Sequence, residues 1–473
     1  MSIEINKIKI DENRVGFFRF KKLNDFYLLT NDATFIELTE KDFKDFLEGK
    51  LDEGGNIFKV LSAKGFVKGP MIFSQMVENY RLKNNFLLRM GVGLHIIVVT
   101  KRCNHLCVYC QAGSPELQKE IYDMSEDTAR KTVDFIFQTP NKNITIEFQG
   151  GEPLINFKIV RFIIEYANET NKIFKKDLKF ALVTNLSLMT DQIYDYLISK
   201  NVNVCTSLDG PETVHNKNRP FENPKGSYNI VNRWMEKVEN DNSGKGMAAL
   251  PTLTKFSLEH IEEVIDEYIK HKITSIHLRS LSYLGHSAGD KKKSEIGYSS
   301  EEFIFSWKKG MDYIIQKNFD GIDIRERGVM IMLNKILKKA GSNFLDLRSP
   351  CGAGIGQLAY FYDGQIYCCD EGRMVESDFF LLGDVSNTYN EITQGEKTKT
   401  LVTASTLENF ACDQCVYKPY CGICPVLNYV LYNNLFPNIK ATDKCKIHTA
   451  MFDYIFEKMR DEKILEIFKR WVV

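Results

Sequence analysis

The chain has 473 residues, 44% hydrophobic and 26% charged, with 62 basic and 62 acidic side chains and no net charge. This is an ordinary globular composition, sufficient for two or three domains, and its balance gives no electrostatic case for nucleic acid or an anionic membrane as partner. Residues 1–14 hold no apolar signal segment, and no run approaches the ~20 apolar residues of a membrane span, so a cytoplasmic protein is expected.

In chain order, Val15–Lys21 and Asp25–Thr30 read as short strands around Asn24-Asp25, and Asn31-Asp32 turns into a third, Thr34–Leu38. Helix patterns follow at Glu40–Glu48 and at Ile57–Lys64, closed by Gly65. Three strands followed by short helices make a winged-helix-like module over residues 1–80. It resembles the peptide-recognition element of enzymes that modify ribosomally made peptides, which adds an extended leader to a sheet edge; a packing extension without a partner is the other reading. Phe66–Pro70 and Arg81–Leu88 bridge to the next region.

Over residues 90–320, strand-like runs at Leu94–Thr100, Ile144–Gly150, Leu178–Asn185, Val202–Asp209, Met247–Thr254 and Ser275–Leu281 alternate with helical segments. Each helix is long enough for a right-handed crossover, so the strands are expected to be parallel. Six units imply α/β architecture with an open, partial (β/α)6 barrel. The stretch 282–299 reads as a loop with Lys291–Lys293 in solvent, residues 345–450 form a cysteine-rich domain, and 451–473 a terminal helix.

Twelve cysteines in a reducing compartment suggest metal ligands before disulfides. Cys103, Cys107 and Cys110 follow the first barrel strand at C-x3-C-x2-C spacing. Cubane clusters usually take four thiolates, so a group of three leaves one iron open to a substrate or cofactor. Three ligands of a zinc knuckle are the bland alternative. Cys205, inside an apolar strand, reads as a small buried hydrophobe. The other eight cysteines lie between 351 and 445. Unusual residues fall at strand ends: the first cysteines, Gly150-Gly151-Glu152-Pro153, Thr184-Asn185, Ser207-Leu208-Asp209-Gly210 and Arg279. In α/β barrels those ends carry the chemistry.

Together these motifs resemble a radical S-adenosylmethionine (SAM) enzyme of the SPASM subgroup, mostly peptide and protein maturases. Phe18–Leu23, Ile146–Leu154, Ser207–Pro211 with His215 and Arg219, and Gly352–Ile355 are similar to the radical SAM maturase of the His-Xaa-Ser peptide system. The resemblance implies a [4Fe–4S] cluster on Cys103, Cys107 and Cys110 with SAM on the open iron. Tyr109, Gln149, Gly150, Gly151, Glu152 and Pro153 would lie against the cofactor, and Thr184, Asn185, Ser207 and Asp209 would reach its ribose. Related maturases often have glycine where this chain has Leu186. Arg219 would pair with the SAM carboxylate; turn formation and a structural ion pair are the plain readings of these polar groups.

For the C-terminal array the resemblance implies auxiliary [4Fe–4S] clusters. Cys412, Cys415, Cys421 and Cys445 would complete one. Cys351, Cys369 and Cys424 would hold another whose fourth ligand is missing, a place Cys368 could fill. Cys421 and Cys424 have two residues between them where the pattern usually has three, and a zinc ribbon is the alternative. Asp370 matches the aspartate that acts as a base in sulfatase maturases; His215, Glu371 and Arg373 are lesser candidates. The implied partners are a precursor peptide, an electron donor such as flavodoxin or ferredoxin, and a second maturase. The implied reaction is hydrogen abstraction from a peptide, giving a crosslinked or oxidised residue, with formylglycine formation as the rival within the class and a non-catalytic metal-binding scaffold as the rival outside it.

Overall fold

The structure, a computed structural model, describes residues 10–31, 34–68, 91–113, 119–221, 226–241, 246–285, 290–338, 347–375 and 377–472. The bridge Arg81–Leu88 and part of the 282–299 loop lie outside them. Lys291–Lys293 begin as helix within Asp290–Ile296.

The N-terminal strands β1 (Arg19–Leu23), β2 (Phe26–Thr30) and β3 (Phe35–Thr39) form an antiparallel meander. The Thr39 hydroxyl accepts from Asp42 N and caps the helix Glu40–Leu47. Tyr27, Leu29, Ile36, Leu38, Phe43, Phe46, Leu61 and Phe66 bury a core of their own. The module is nonetheless docked. Thr30 Oγ1 donates to Val416 O at 2.7 Å, Lys21 Nζ lies 2.6 Å from Asp453 Oδ1, and the Phe35 ring meets Phe456 edge-on. These contacts fix it against the loop and helix that carry Cys415 and Cys445.

The main sheet runs β4 (Leu94–Thr100), β5 (Asn143–Gly150), β6 (Asp177–Thr184), β7 (Val202–Ser207) and β8 (Ala248–Leu250), every neighbouring pair parallel. Helices Glu126–Ile136, Phe157–Phe174, Asp191–Ser199 and Tyr228–Glu239 make the crossovers and bury their apolar faces against one side of the sheet. The alternation of β4 divides two cores: Ile97 and Val99 face the helices, while Ile96 and Val98 face Cys351, Ala359, Cys369 and Phe380.

The sixth strand is shorter than the sequence suggests. β9 (Ser275–Ile276) pairs with β10 (Arg325–Glu326) in a separate two-stranded sheet. Beyond Ile276 a side chain replaces the ladder, since Leu278 N donates to Glu326 Oε1 at 2.8 Å. The fifth predicted run likewise contributes only Ala248–Leu250. The sheet is completed from the other side: β11 (Gln357–Tyr360) lies parallel to β4, followed by antiparallel β12 (Gln365–Tyr367) and β13 (Leu381–Asp384). The cysteine-rich segment therefore extends the barrel sheet. Among the described residues, no helix is long and apolar enough to cross a membrane.

Candidate cluster site at the strand ends

β4 delivers the chain to the loop Cys103–Cys110. Its exit is clamped by Asp123, which accepts Thr100 Oγ1 at 2.6 Å and pairs with both edges of the Arg102 guanidinium. Leu106 N and Val108 N donate to Pro220 O and Asn218 O at 2.9 Å, and Cys110 N to Cys107 O at 3.0 Å. So folded, Cys103, Cys107 and Cys110 lie within electrostatic reach of one another. His105 N donates to Cys103 Sγ at 3.4 Å. Burial pushes the Cys103 thiol up to about 12 and the Cys107 thiol to about 11, a donor set that a cationic centre would deprotonate. Among the described residues, no three His, Cys, Asp or Glu side chains gather tightly enough for a single metal ion.

Gly150 and Gly151 pass directly over this exit. A Cβ on Gly151 would lie 2.2 Å from Arg102 O and 2.4 Å from Lys101 O, and one on Gly150 would lie 2.2 Å from Thr100 O. Gly151 N and Glu152 N donate to Thr100 O and Arg102 O at 3.0 and 2.8 Å. The glycines are required by chain-on-chain contact at the cluster loop. The Glu152 carboxylate is buried, accepting Leu154 N at 3.0 Å, Thr184 Oγ1 at 2.7 Å and Asn185 N at 2.7 Å. Burial still pushes it up to about 6. Glu152 and Thr184 thus tie β5 to β6. Pro153 starts the short 3-10 turn after it.

Asn185 reaches the cluster loop, with Nδ2 3.0 Å from Asn104 Oδ1 and 3.9 Å from Cys103 Sγ. Leu186 has φ 63°, a left-handed conformation that glycine adopts freely, which accounts for glycine in related maturases. The buried Asp209 carboxylate is equally committed: it takes Tyr109 Oη at 2.7 Å, Arg219 Nε at 3.2 Å and Thr252 N at 2.9 Å. Asp209 and Arg219 form a buried ion pair, and Asp209 holds the Tyr109 hydroxyl beneath the loop. His215 braces it from behind, accepting from Asp209 N at 3.4 Å and facing Ser227 Oγ at 3.0 Å; burial holds its imidazole down at about 3. Ser207, half-buried at the end of β7, has no such network among the described residues.

Gln149 enters a polar chain across the interior. Its Nε2 donates to Glu147 Oε1 at 2.6 Å, its Oε1 accepts Arg373 Nη2 at 2.8 Å, and Arg373 Nε donates to Asp370 Oδ1 at 2.7 Å. Burial raises the Glu147 carboxyl. Glu147 was missed from sequence; its signal was one acid inside the apolar run Ile144–Phe148. Asp370 opens the helix Asp370–Val375 directly after Cys369.

All of the C-terminal cysteines except Cys368 line two adjoining pockets. One, of about 630 Å³ including its open mouth, is bounded by Cys412, Cys415, Cys421 and Cys445, with Cys424 at the wall it shares with the other. The other, of about 510 Å³, is bounded by Cys351, Cys369, Cys424, Glu371 and Arg279. Cys205 is apart from both, its thiol pushed by burial up to about 12.

Residues 97–274 match the Radical SAM superfamily. They form a radical SAM domain. Members of that superfamily are enzymes that use a [4Fe–4S] cluster and SAM. A cysteine-type anaerobic sulfatase-maturating enzyme of Clostridium novyi is 24% identical over 76% of this chain and 92% of its own. Three other curated relatives are matched over only 50–65% of their own length. In fold, the chain is similar to native anSMEcpe with bound AdoMet and Cp18Cys peptide: TM-score 0.67, 19% identity, 80% of this chain and 99% of that one. It is also similar to Streptococcus suis SuiB bound to precursor peptide SuiA, with TM-score 0.53 and 16% identity over 90% of this chain and 97% of that one.

The radical SAM domain fits the cofactors of its superfamily. Cys103, Cys107 and Cys110 would hold the cluster. The Gly150–Glu152 segment, held against residues 100–102, would face SAM.

Proposed function

We propose that the chain is a SPASM-type radical SAM enzyme that modifies a ribosomally made peptide. The observation that carries this reading is the chain Glu147–Gln149–Arg373–Asp370, which joins a barrel strand to the helix that follows Cys369. It gives the cysteine-rich segment a polar side chain at the barrel interior, where a peptide would lie. The N-terminal sheet, docked beside the Cys412–Cys421 loop, supplies an edge for an extended leader.

When bound, the cluster, SAM and the auxiliary clusters supply the redox chemistry: reductive cleavage of SAM and hydrogen-atom removal from an unactivated C–H bond. The protein does the rest. Cys103, Cys107 and Cys110 hold the reactive centre, and the Asp209–Arg219–Tyr109 group keeps its loop rigid. Ser207 offers a hydroxyl to the cofactor's polar edge. Arg373 holds Asp370 by Oδ1, leaving Oδ2 to take the proton that oxidation of the substrate releases.

Support for a peptide substrate comes from SuiB, whose structure with a precursor peptide shares this fold over most of both chains. The His-Xaa-Ser resemblance makes a short repeat-containing precursor the first substrate to try. Anaerobically reconstituted protein should be brown, form 5′-deoxyadenosine under reduction, and change the mass of a small peptide encoded beside it. Colourless, zinc-loaded protein forming none would favour the scaffold reading.

A second reading, sulfatase maturation, is favoured by the Clostridium novyi relative, which matches over most of its length. Conversion of a cysteine-containing sulfatase peptide to formylglycine, with no change in the precursor, would select it.

A further inference from the structure

The second auxiliary set has three cysteines in a pocket that sequence pairing leaves one ligand short. Cys368 is the neighbour in sequence, but its thiol does not reach the pocket lining. It is fully buried 3.7 Å from Cys369 Sγ and packs over Gly372, where a Cβ would lie 2.7 Å from it. Glu371 does line the pocket, with Cys351, Cys369 and Cys424. Its carboxylate is within electrostatic reach of all three sulfurs.

The two oxygens of Glu371 differ. Oε1 accepts Arg279 Nη2 at 3.1 Å. Among the described residues Oε2 has no hydrogen-bond partner, and the residue is only 8% exposed. A buried carboxylate oxygen without a donor costs free energy and calls for an explanation. An iron beside three buried thiolates would supply one.

We propose that Glu371 is the fourth ligand of the Cys351/Cys369/Cys424 cluster, binding through Oε2 while Arg279 orients the carboxylate through Oε1. This rests on reading those three cysteines as cluster ligands. One carboxylate in place of one thiolate keeps the ligand charge and exchanges a soft donor for a hard one. Ligand identity and net charge both set cluster potentials, so this centre would differ electrochemically from the all-cysteine set at Cys412, Cys415, Cys421 and Cys445.

The test uses full-length protein with Cys103, Cys107 and Cys110 all changed to Ala, so that only auxiliary clusters remain. Iron is counted, and electron paramagnetic resonance and Mössbauer spectra are recorded. On mild oxidation, Glu371→Ala should lose one iron per chain and gain a three-iron signal, while Glu371→Cys should keep every iron and shift the reduction potential. Cys368→Ala should match its parent. If Glu371→Ala keeps all its iron with unchanged spectra, the assignment is overturned; a three-iron signal in Cys368→Ala would do the same and name the true ligand. If Cys351→Ala changes neither iron nor spectra, no cluster sits there, and the assignment falls together with the reading beneath it.

Discussion

Changing Gly151 to Ala tests whether the glycine pair sets the position of the cluster loop. The new Cβ would meet three backbone atoms within 2.5 Å, the nearest being Arg102 O at 2.2 Å. None belongs to a flexible side chain. Reaching ordinary contact means a displacement of about 1.2 Å in the residue just before Cys103. Overpacking of this kind costs about 1–3 kcal/mol, and pulling Gly151 N and Glu152 N from their carbonyls adds roughly 1 kcal/mol for each bond lost. The larger effect is geometric, because a shift near 1 Å at a reacting centre costs on the order of 100-fold in rate. The assay is 5′-deoxyadenosine formation by anaerobic, reduced protein, with iron content and thermal unfolding measured on the same samples. Gly151→Ala should unfold several degrees lower and cleave SAM at least tenfold more slowly. Gly246→Ala, whose Cβ would have nothing within 4 Å, should match the wild type. A Gly151→Ala protein with full iron and a rate within twofold of wild type would refute the argument.

Other perturbations separate the remaining parts. Asp370→Asn should leave 5′-deoxyadenosine formation largely intact and lower modified-peptide yield at least tenfold by mass spectrometry; full yield would remove the proton-acceptor role. Thr30→Val leaves the Val416 carbonyl without its donor, costing about 1–3 kcal/mol, and should hasten iron loss from the neighbouring Cys415 set; unchanged melting and iron retention would mean the docking is dispensable. Glu326, fully buried, is pushed by burial up to about 7 from 4.5. Between those values the native state holds a proton that the unfolded chain has released. Its contribution therefore falls as pH rises through 4.5 to 7, by roughly 3 kcal/mol, and levels off above. Glu326→Gln should flatten that slope in urea titrations from pH 5 to 8; an unchanged slope would assign it to other groups.

What the sequence disclosed was local. The cysteine triplet, the glycine pair and the parallel runs β4 to β7 each depend on neighbours a few residues away, so spacing and periodicity reveal them. Ser275–Leu281 misled because its apolar alternation is real, but Glu326, remote in the chain, takes the Leu278 amide that a longer ladder would use. The placement of Gln357–Tyr360 beside β4 was invisible for the same reason: four residues with no distinctive pattern find their partner across most of the chain. Side-chain direction was also hidden. Glu152, Asp209 and Arg219 have the right chemistry for a cofactor, and sequence could not show the protein partners each of them holds. Glu371 differs from them by one uncommitted oxygen, which sequence cannot display.

The seating of β11 against β4 also bears on truncation. A fragment ending before residue 345 would keep the cysteine triplet yet strip the hydrogen-bonding flank from Leu94–Thr100, a strand buried over all but its first residue. Bare edges of that kind recruit other chains, so such a fragment should self-associate. The later segment acts as a built-in shield for the earlier one, and shortening this protein to its barrel would trade a covered sheet edge for an adhesive one.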